Sequence, residues 1–448
     1  MKNRGIAACV AALLIFASGC SSSEPSSVKD TVTEDTVLAQ MDNHQKNWIG
    51  GLSKEQYRED LTFLYETLKQ NYPYLSLAKR TVGADLETLY SHALEQCAKC
   101  NNDNEFYNLL KEFVSGFGFT GHLDLWGTRY FSQLDSMKEL SNTDPQIAEH
   151  LAPYIAALEN ETSPKTYKQM EAFFTELEQK TAELLPESSD SEDSNQSEPE
   201  EEPANVETKI LEEGKIAYLA INSFDPEMQQ QDKQIIFPFY EQIADYPHLI
   251  IDISQNSGGS MLYFDELVLQ PLTKAKICVP TYQLFLNGTN NAKYLNTEEG
   301  FRSGRYHPIS ELPKLEKINQ EDLAGVDSFY REDFTIIPNG AGFSGKIWLL
   351  VSENNYSSSE YAAMISKQSG FATLVGSQTS GDGIGTDPVY AVLPNSGFVV
   401  QYSPFYGVTA DGTGSEEFGT TPDILSSPDE LPLDTCLKEI KKSEQKNN

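Results

Sequence analysis

An acidic segment divides this chain of 448 residues into two parts with different sequence patterns. Residues 187–208 contain acidic but no basic side chains, so this segment cannot bury enough apolar surface to fold. We interpret it as a flexible linker that acts as a spacer. Before it the pattern is helical, whereas short β-rich runs and helices alternate after it. The linker is therefore expected to separate a helical region from an α/β region.

The α/β region spans residues 209–432, and helical stretches such as 234–245 and 359–369 separate its β-rich runs. Strands that alternate with helices favour an α/β fold with one largely buried sheet. The runs lie at 215–221, 249–253, 346–351 and 398–402.

The helical region begins with residues 51–126, where apolar side chains such as Leu61, Leu64 and Leu68 recur at helical spacing. This pattern predicts a small helical domain. Residues 127–186 contain further, more polar helical stretches, which we interpret as an insertion. The tail at 433–448 is charged and predicts at most a short helix.

The first twenty residues are typical of a targeting segment. Lys2 and Arg4 precede an apolar run at 6–17, and Ser18-Gly19-Cys20 follows it. This looks like a bacterial lipoprotein signal that ends at a lipidated Cys20, with residues 21–50 as a tether. An ordinary cleaved signal peptide is the alternative, and the apolar run is too short to span a membrane. We expect an extracytoplasmic protein that contacts the membrane only through the lipid on Cys20.

The formal net charge of −34 argues against binding to nucleic acid or to anionic lipid headgroups. A small molecule, a peptide or a neutral polymer is the better partner. Cys97 and Cys100 have the spacing of a zinc or redox pair, but no second pair or suitably placed histidine completes a metal site. We expect a local disulfide or two free thiols there, and no metal.

The best candidate nucleophile is Ser357, which lies between the run at 346–351 and an alanine-rich helical stretch. A serine on a strand-to-helix turn has its hydroxyl clear of the sheet and near the positive end of the helix, which stabilises a developing anion. The pattern Ser357-x-x-Glu360 is also a capping box, and on these residues alone a cap is the commoner explanation.

Three other segments contain chemistry-bearing residues. Gly258-Gly259 follows a strand, and such a turn exposes the consecutive N–H groups that an oxyanion hole needs, although a plain glycine turn is the simpler interpretation. His122 follows a glycine and could act as a general base, but it is one histidine among six. Glu416 lies in a loop at 411–424 that could orient an imidazole or be a solvated turn.

In this chain order, the segments resemble the carboxy-terminal processing (tail-specific) serine protease family, which includes the tricorn protease core. Residues 51–126 and 209–427 bear the resemblance. Single motifs are weak, but the ordered set is specific. The matching positions are Asp252, Asn256, Gly258 and Gly259, then Ser357 and Glu360, then the stretches 374–381 and 393–397, and finally Glu416, Gly419, Pro422 and Asp423.

The resemblance implies a crotonase-like α/β core with an N-terminal helical domain that contains His122. Family members with a serine–lysine dyad have lysine where this chain has Asp382, so the tricorn-like set of serine, histidine and glutamate fits better. It implies Ser357 as nucleophile, His122 as general base and Glu416 as the group that orients the imidazole. The oxyanion hole would then use the N–H groups of Gly258 or Gly259 and of Ser358.

Two further departures from the family pattern are Ser254, where an arginine is common, and the lack of a recognisable PDZ module between Trp126 and Lys209. The sequence thus predicts a surface-anchored serine-type endopeptidase that acts on peptides or unfolded proteins without a cofactor. The alternative is an inactive lipoprotein of the same fold that binds a peptide or another ligand.

Overall fold

The computed structural model describes residues 34–143, 145–184 and 204–447. The predicted signal peptide with Cys20, the tether as far as residue 33 and most of the acidic linker lie outside these residues. Within the described ranges, no helix is long and apolar enough to cross a membrane.

The part of the chain before the linker is helical, as the periodicity predicted. Capping residues define several helix starts; Ser53 and Gln56, for example, form a reciprocal capping box at the start of the third helix. The helices are α1 Glu34–Gln40, α2 Asn43–Lys46, α3 Lys54–Asn71, α4 Leu75–Val82, α5 Leu86–Cys97, α6 Asp103–Ser115, α7 Tyr130–Ser141, α8 Pro145–Leu158 and α9 Ser163–Leu184, with a 3₁₀ turn at Thr120–His122 and a short strand β1 at Asp124–Leu125.

Residues 34–50, which the sequence assigned to the tether, are part of this helical layer. They contain α1 and α2, and Trp48 is buried against the rings of Tyr107, Phe173 and Phe398. These partners are far from Trp48 in the sequence, so local pattern did not reveal them. Cys97 and Cys100 are both buried free thiols. Of the two predicted alternatives for this pair, a local disulfide or free thiols, the structure therefore has the second.

The part after the linker is a mixed α/β structure. Its helices are α10 Gln229–Gln242, α11 Met261–Phe264, α12 Gln270–Leu272, α13 Thr289–Leu295, α14 Thr297–Ser303, α15 Gln320–Leu323, α16 Ser358–Ser369, α17 Ser415–Phe418 and α18 Pro432–Asn447. Its strands are β2 Val206–Glu212, β3 Ile216–Ile221, β4 His248–Asp252, β5 Ile277–Phe285, β6 His307–Pro308, β7 Ser328–Ile336, β8 Lys346–Val351, β9 Thr373–Gly376, β10 Val389–Val392, β11 Val399–Tyr402, β12 Tyr406–Thr409 and β13 Ile424–Leu425.

The central sheet has six strands in the order β13-β9-β8-β4-β3-β2, and only β2 is antiparallel to its neighbour. All residues of β3 are buried, as expected for a parallel strand covered on both faces. On one face, residues such as Leu219, Leu249 and Leu349 share a core with α16. On the other face, Ile250 and Trp348 pack against α18, so the charged tail forms a helix with a buried apolar side.

Two further sheets accompany the central one, whereas the sequence predicted a single sheet. One is antiparallel, with the order β12-β5-β7-β6. The other has the order β1-β11-β10 and joins the two regions, because Asp124 and Leu125 of β1 pair with Gln401 and Val400 of β11. This pairing brings the segment that contains His122 to the α/β part of the molecule.

Candidate active site

Ser357 lies between β8 and α16 in a backbone conformation that is unusual for a serine. Its φ is 58° and its ψ is −122°, in a region that costs a non-glycine residue about 1–3 kcal/mol. Its N–H donates to the Gly381 carbonyl at 2.9 Å, and its carbonyl accepts from the Tyr361 N–H at 2.9 Å. The Ser357 side chain makes no cap hydrogen bond. The turn therefore holds the backbone of Ser357 and leaves its hydroxyl free.

Glu360 does not form the capping box that the sequence pattern suggested. Its buried carboxyl accepts hydrogen bonds from the hydroxyls of Thr379 and Thr420, the latter at 2.6 Å. Burial raises the pKa of Glu360 to about 7, against these hydrogen bonds, which lower it. Glu360 thus ties the start of α16 to two later loops and is not available to cap the Ser357 backbone.

The Gly258-Gly259 turn lies directly against the Ser357 turn. Both glycines have φ near 130°, and a Cβ on Gly258 would lie 3.0 Å from the Tyr356 carbonyl oxygen and 3.5 Å from Ser357 Cβ. A Cβ on Gly259 would overlap the Phe224 carbonyl at 2.4 Å. Glycine is required here because the two backbone segments approach so closely.

The two predicted glycine donors differ in their availability. The Gly258 N–H already donates to Asn256 Oδ1 at 2.8 Å. Among the described hydrogen bonds, none uses the N–H of Gly259 or of Ser358, the first residue of α16. These two N–H groups are therefore the ones available to an oxyanion next to Ser357.

Asn355, which the sequence analysis did not single out, fastens the two turns together. Its side-chain amide donates to the carbonyls of Ile253 at 2.6 Å and Asn256 at 2.9 Å. Its Oδ1 accepts from the Ser352 N–H at 2.8 Å. Because Asn355 is fully buried, these hydrogen bonds fix the glycine turn relative to the serine turn.

His122 is buried beside this junction. Its φ is 55°, and its Nδ1 lies 2.5 Å from Asp382 Oδ2 and 3.1 Å from Ser403 Oγ. Its Nε2 is buried and has no hydrogen-bond partner in the described part of the chain. The His122 ring is 4.8 Å from the ring of Tyr356, the residue before Ser357. With Asp382 accepting from Nδ1–H, Nε2 carries the free lone pair that a general base needs.

Asp382 is held on His122 by several contacts. Its φ of 53° places it in a left-handed turn, and its side chain is buried. Ser403 Oγ lies 3.0 Å from Asp382 Oδ2 and donates to it, and the Tyr74 hydroxyl lies 3.1 Å from Oδ1. The same Tyr74 ring would overlap a Cβ on Gly121 at 2.5 Å, so only glycine fits before His122.

Glu416 does not occupy the position expected of it. Among the described hydrogen bonds it has none to His122; it accepts instead from the Gly121 N–H at 3.0 Å and the Tyr356 hydroxyl at 3.2 Å. Desolvation, followed by the charge of Asp382, raises the pKa of Glu416 well above its usual range. Glu416 therefore braces the backbone before His122, and Asp382 holds the imidazole nitrogen that was assigned to Glu416.

Of the residues predicted for the site, the structure places Gly258 beside Ser357 and Ser358, with Gly259 packed against Phe224, and places His122 against the neighbouring Tyr356. Asp382, Ser403 and Asn355 were missed as site residues. Asp382 had been noted only as a departure from the lysine of the dyad. A carboxylate at that position was itself the available signal, because it is the group that can orient a histidine.

Comparison with known proteins finds one family model that matches the α/β part of the chain. Residues 215–426 match the family model described as peptidase family S41. A predicted peptidase from Parabacteroides merdae ATCC 43184 superposes with a TM-score of 0.51 at 14% sequence identity, over 86% of this chain and 96% of that one. A mutant of CPAF superposes with a TM-score of 0.50 at 14% identity, over 87% and 96% of the two chains.

A third structure, mature CPAF complexed with lactacystin, has a TM-score of 0.49 at 14% identity, over 87% of this chain and 97% of that one. At such identities, structural likeness establishes the fold alone. The comparison with curated proteins finds no significant match. The family model thus agrees with the resemblance seen in the motifs: residues 215–426, slightly less than half of the chain, are similar to peptidase family S41.

Proposed function

We propose that this protein is a serine-type peptidase that cleaves peptide bonds by acyl transfer through Ser357, with His122 as general base and Asp382 as the residue that positions the imidazole. The contact between His122 Nδ1 and Asp382 Oδ2, at 2.5 Å, supports this most directly. It leaves Nε2 unpaired at a site where a serine is presented on a strained turn. Residue types and environment thus match the requirements of a serine hydrolase.

In the first step, Ser357 Oγ attacks the carbonyl carbon of the scissile peptide bond while its proton passes to His122 Nε2. Asp382 accepts from the Nδ1–H of the resulting imidazolium and stabilises its charge. The proton then moves from Nε2 to the leaving nitrogen as the C–N bond breaks. The products of this step are an acyl-enzyme ester on Ser357 and the released amine.

The carbonyl oxygen becomes negatively charged during the attack, and the N–H groups of Gly259 and Ser358 are the available donors for it. The first turn of α16 adds the positive end of a helix. Donors that are already in place for a developing charge contribute about 3–4 kcal/mol each to catalysis. In the second step, water gives a proton to Nε2 and attacks the ester; as the C–Oγ bond then breaks, Nε2 returns this proton to Oγ, which releases the acid and restores Ser357 and His122.

No described hydrogen bond joins Ser357 Oγ to His122 Nε2, so the catalytic pair is not closed in this state. Such pairs often tighten only when substrate binds. The same observation favours the second candidate function, an inactive protein of this fold that binds a peptide without cutting it. Cleavage assays separate the two functions.

The test is to incubate the protein with casein as an unstructured substrate and to follow new peptides by mass spectrometry. We expect cleavage by wild type and by Ser380→Ala, whose exposed hydroxyl donates to the Glu353 carbonyl outside the site. Cleavage is expected to fall by about 10³-fold or more in Ser357→Ala and His122→Ala. His92→Ala, which alters an exposed histidine on α5, controls for the second substitution. Undiminished cleavage by Ser357→Ala would rule out the proposed nucleophile.

We also propose that the protein is exported and held at a membrane by a lipid on Cys20. The support is the order of Lys2, Arg4, the apolar run at 6–17 and Ser18-Gly19-Cys20. Peptides or unfolded proteins outside the cytoplasm would then be its substrates. Replacing Cys20 with Ala should release the protein from membranes into the soluble fraction, and continued membrane association of this variant would contradict the lipid anchor.

A further inference from the structure

Phe119 is a large apolar side chain that the fold holds at the surface. It is 47% exposed, and its φ is 62°. A non-glycine residue with this left-handed backbone is uncommon and costs about 1–3 kcal/mol. Packing of the aromatic ring into the core does not explain this position, since nearly half of the residue remains open to solvent.

The ring of Phe119 stands beside the proposed catalytic residues. Its centroid lies 6.1 Å from that of His122 and 6.0 Å from that of Tyr356, the residue before Ser357. A substrate whose scissile bond lies between Ser357 and His122 must therefore pass close to this ring.

One further exposed apolar side chain lies beside the segment that contains Phe119, and another is close to a site residue in the sequence. Val82 is 52% exposed, and a Cβ on Gly118 would lie 3.0 Å from Val82 Cγ1, so Val82 lies next to the segment that presents Phe119. Phe418 is 47% exposed and comes two residues after Glu416, which binds the Tyr356 hydroxyl. Apolar surface gathered at the mouth of a site marks a place where a ligand is bound.

Arg80, a cation close to Val82 in the sequence, is not free to attract an acidic substrate. Arg80, two residues before Val82, makes ion pairs with Asp322 at 3.0 Å and with Glu417 at 2.7 Å. Its charge is therefore already neutralised. The net charge of −34 further disfavours acidic peptides. The charge distribution and the apolar surface both favour an uncharged, apolar occupant.

We propose that Phe119, together with Val82, forms the wall of a substrate subsite that accepts an apolar side chain of the peptide next to the scissile bond. The inference rests on the proposed peptidase function and adds a substrate preference to it. Phe119 is assigned as a specificity residue, with no part in the proton transfers.

Binding is measured first in the Ser357→Ala background, so that cleavage does not enter. The ligands are three sets of fluorescent decapeptides rich in Ser and Gly. Each set places one test residue, Leu, Ser or Asp, at every position of the decapeptide in turn. We expect one Leu peptide to bind about tenfold more tightly than its Ser and Asp counterparts. This difference should disappear in Ser357→Ala/Phe119→Ala and return in Ser357→Ala/Phe119→Leu. The control is Ser357→Ala/Leu425→Ala, which alters another apolar residue that is 66% exposed. This control should leave the preference for the Leu peptide unchanged.

Phe119→Gly distinguishes loss of the ring from loss of the fold. Glycine accepts the positive φ, so this variant should unfold at the same temperature as wild type or higher and still lack the preference. A Leu preference that persists without the Phe119 ring would overturn the inference, as would the absence of any Leu preference in the Ser357→Ala protein. Failure of otherwise wild-type protein to cleave casein would instead count against the peptidase function, because the binding comparison does not need cleavage.

Discussion

The Nδ1 atom of His122 lies 2.5 Å from Oδ2 of Asp382, although the two residues are 260 positions apart in the chain. Ser403 Oγ lies within 3.1 Å of both groups and closes a small buried network around them. With Nδ1 in contact with this carboxylate, Nε2 is the ring nitrogen without a hydrogen-bond partner among the described residues. This contact supports our proposal that Asp382, and not Glu416, positions the imidazole.

Replacing Asp382 with Asn should reduce kcat by about 10³–10⁴-fold, because an amide at this position favours the wrong imidazole tautomer. The control is Asp387→Asn. Asp387 Oδ2 lies 2.8 Å from His150 Nε2, so this variant alters another Asp–His pair and should retain activity within about threefold. Steady-state cleavage of a casein-derived peptide measures both. Equal activity of the two variants would show that Asp382 does not position His122.

Glu416→Gln should lose much less activity than Asp382→Asn. Desolvation and the charge of Asp382 raise the pKa of Glu416 well above its usual range, so the site favours an uncharged side chain there and an amide is a close substitute. We expect less than a tenfold loss of kcat for Glu416→Gln. Glu416→Ala should lose more, because the Gly121 N–H and the Tyr356 hydroxyl lose their partner. A loss of 10³-fold or more in Glu416→Gln would restore Glu416 to the catalytic set.

The buried carboxyl of Glu360 should make the folded protein less stable as the pH rises toward neutrality. Its pKa is raised from 4.5 to about 7 on folding, so the folded state binds this proton more tightly than the unfolded state. The resulting stabilisation is complete below pH 4.5 and is lost as the pH rises through 7. It amounts to about 3 kcal/mol.

Urea unfolding at several pH values from 4.5 to 8 tests this. Glu360→Gln should flatten part of the decline in the free energy of unfolding. Asp265, whose pKa burial raises to about 7, contributes with the same sign, so Glu360→Gln/Asp265→Asn should flatten it further. An unchanged slope in both variants would contradict the raised pKa values.

Asn355→Ala should weaken both stability and turnover. It removes the hydrogen bonds that join the serine and glycine turns and leaves the buried Ser352 N–H without its partner. We expect a loss of about 2 kcal/mol in the free energy of unfolding and a fall in kcat larger than any change in KM. The neighbouring exposed Asn354 makes one side-chain donation, to the Ser254 carbonyl, and Asn354→Ala should cost under about 0.5 kcal/mol. Similar losses in the two variants would argue against a special role for Asn355.

Local sequence pattern predicted the strand-to-helix turn at Ser357, the Gly258-Gly259 turn and three strands of the central sheet, β3, β4 and β8, because each depends on neighbouring residues. The fourth predicted run, at 398–402, forms β11 of the sheet β1-β11-β10 instead. Local pattern did not predict the second sheet, in which β5 pairs with β7 along its whole length. Pro280 lies within β5, and a proline weakens a strand pattern because it has no N–H to donate; here it lies just outside the stretch Thr281–Leu284 that pairs with β12.

The parts of the site that were missed depend on long-range contacts. Asp382 reaches His122 only because a left-handed turn and the pairing of β1 with β11 bring distant segments together. The capping-box pattern at Ser357 is present in the sequence, yet Ser357 has a positive φ and its side chain makes no cap hydrogen bond. In both cases backbone geometry, which the residue types alone do not specify, decides the role of the side chain.

The most direct test of the account is the reaction of Ser357 with a fluorophosphonate, a reagent that modifies activated serines, followed by mass spectrometry of the modified peptide. We expect one adduct, on Ser357, that forms at least 100-fold more slowly in His122→Ala and at the wild-type rate in His92→Ala. Absence of an adduct on Ser357, or an equal rate of its formation in wild type and His122→Ala, would contradict the claim that His122 activates this serine.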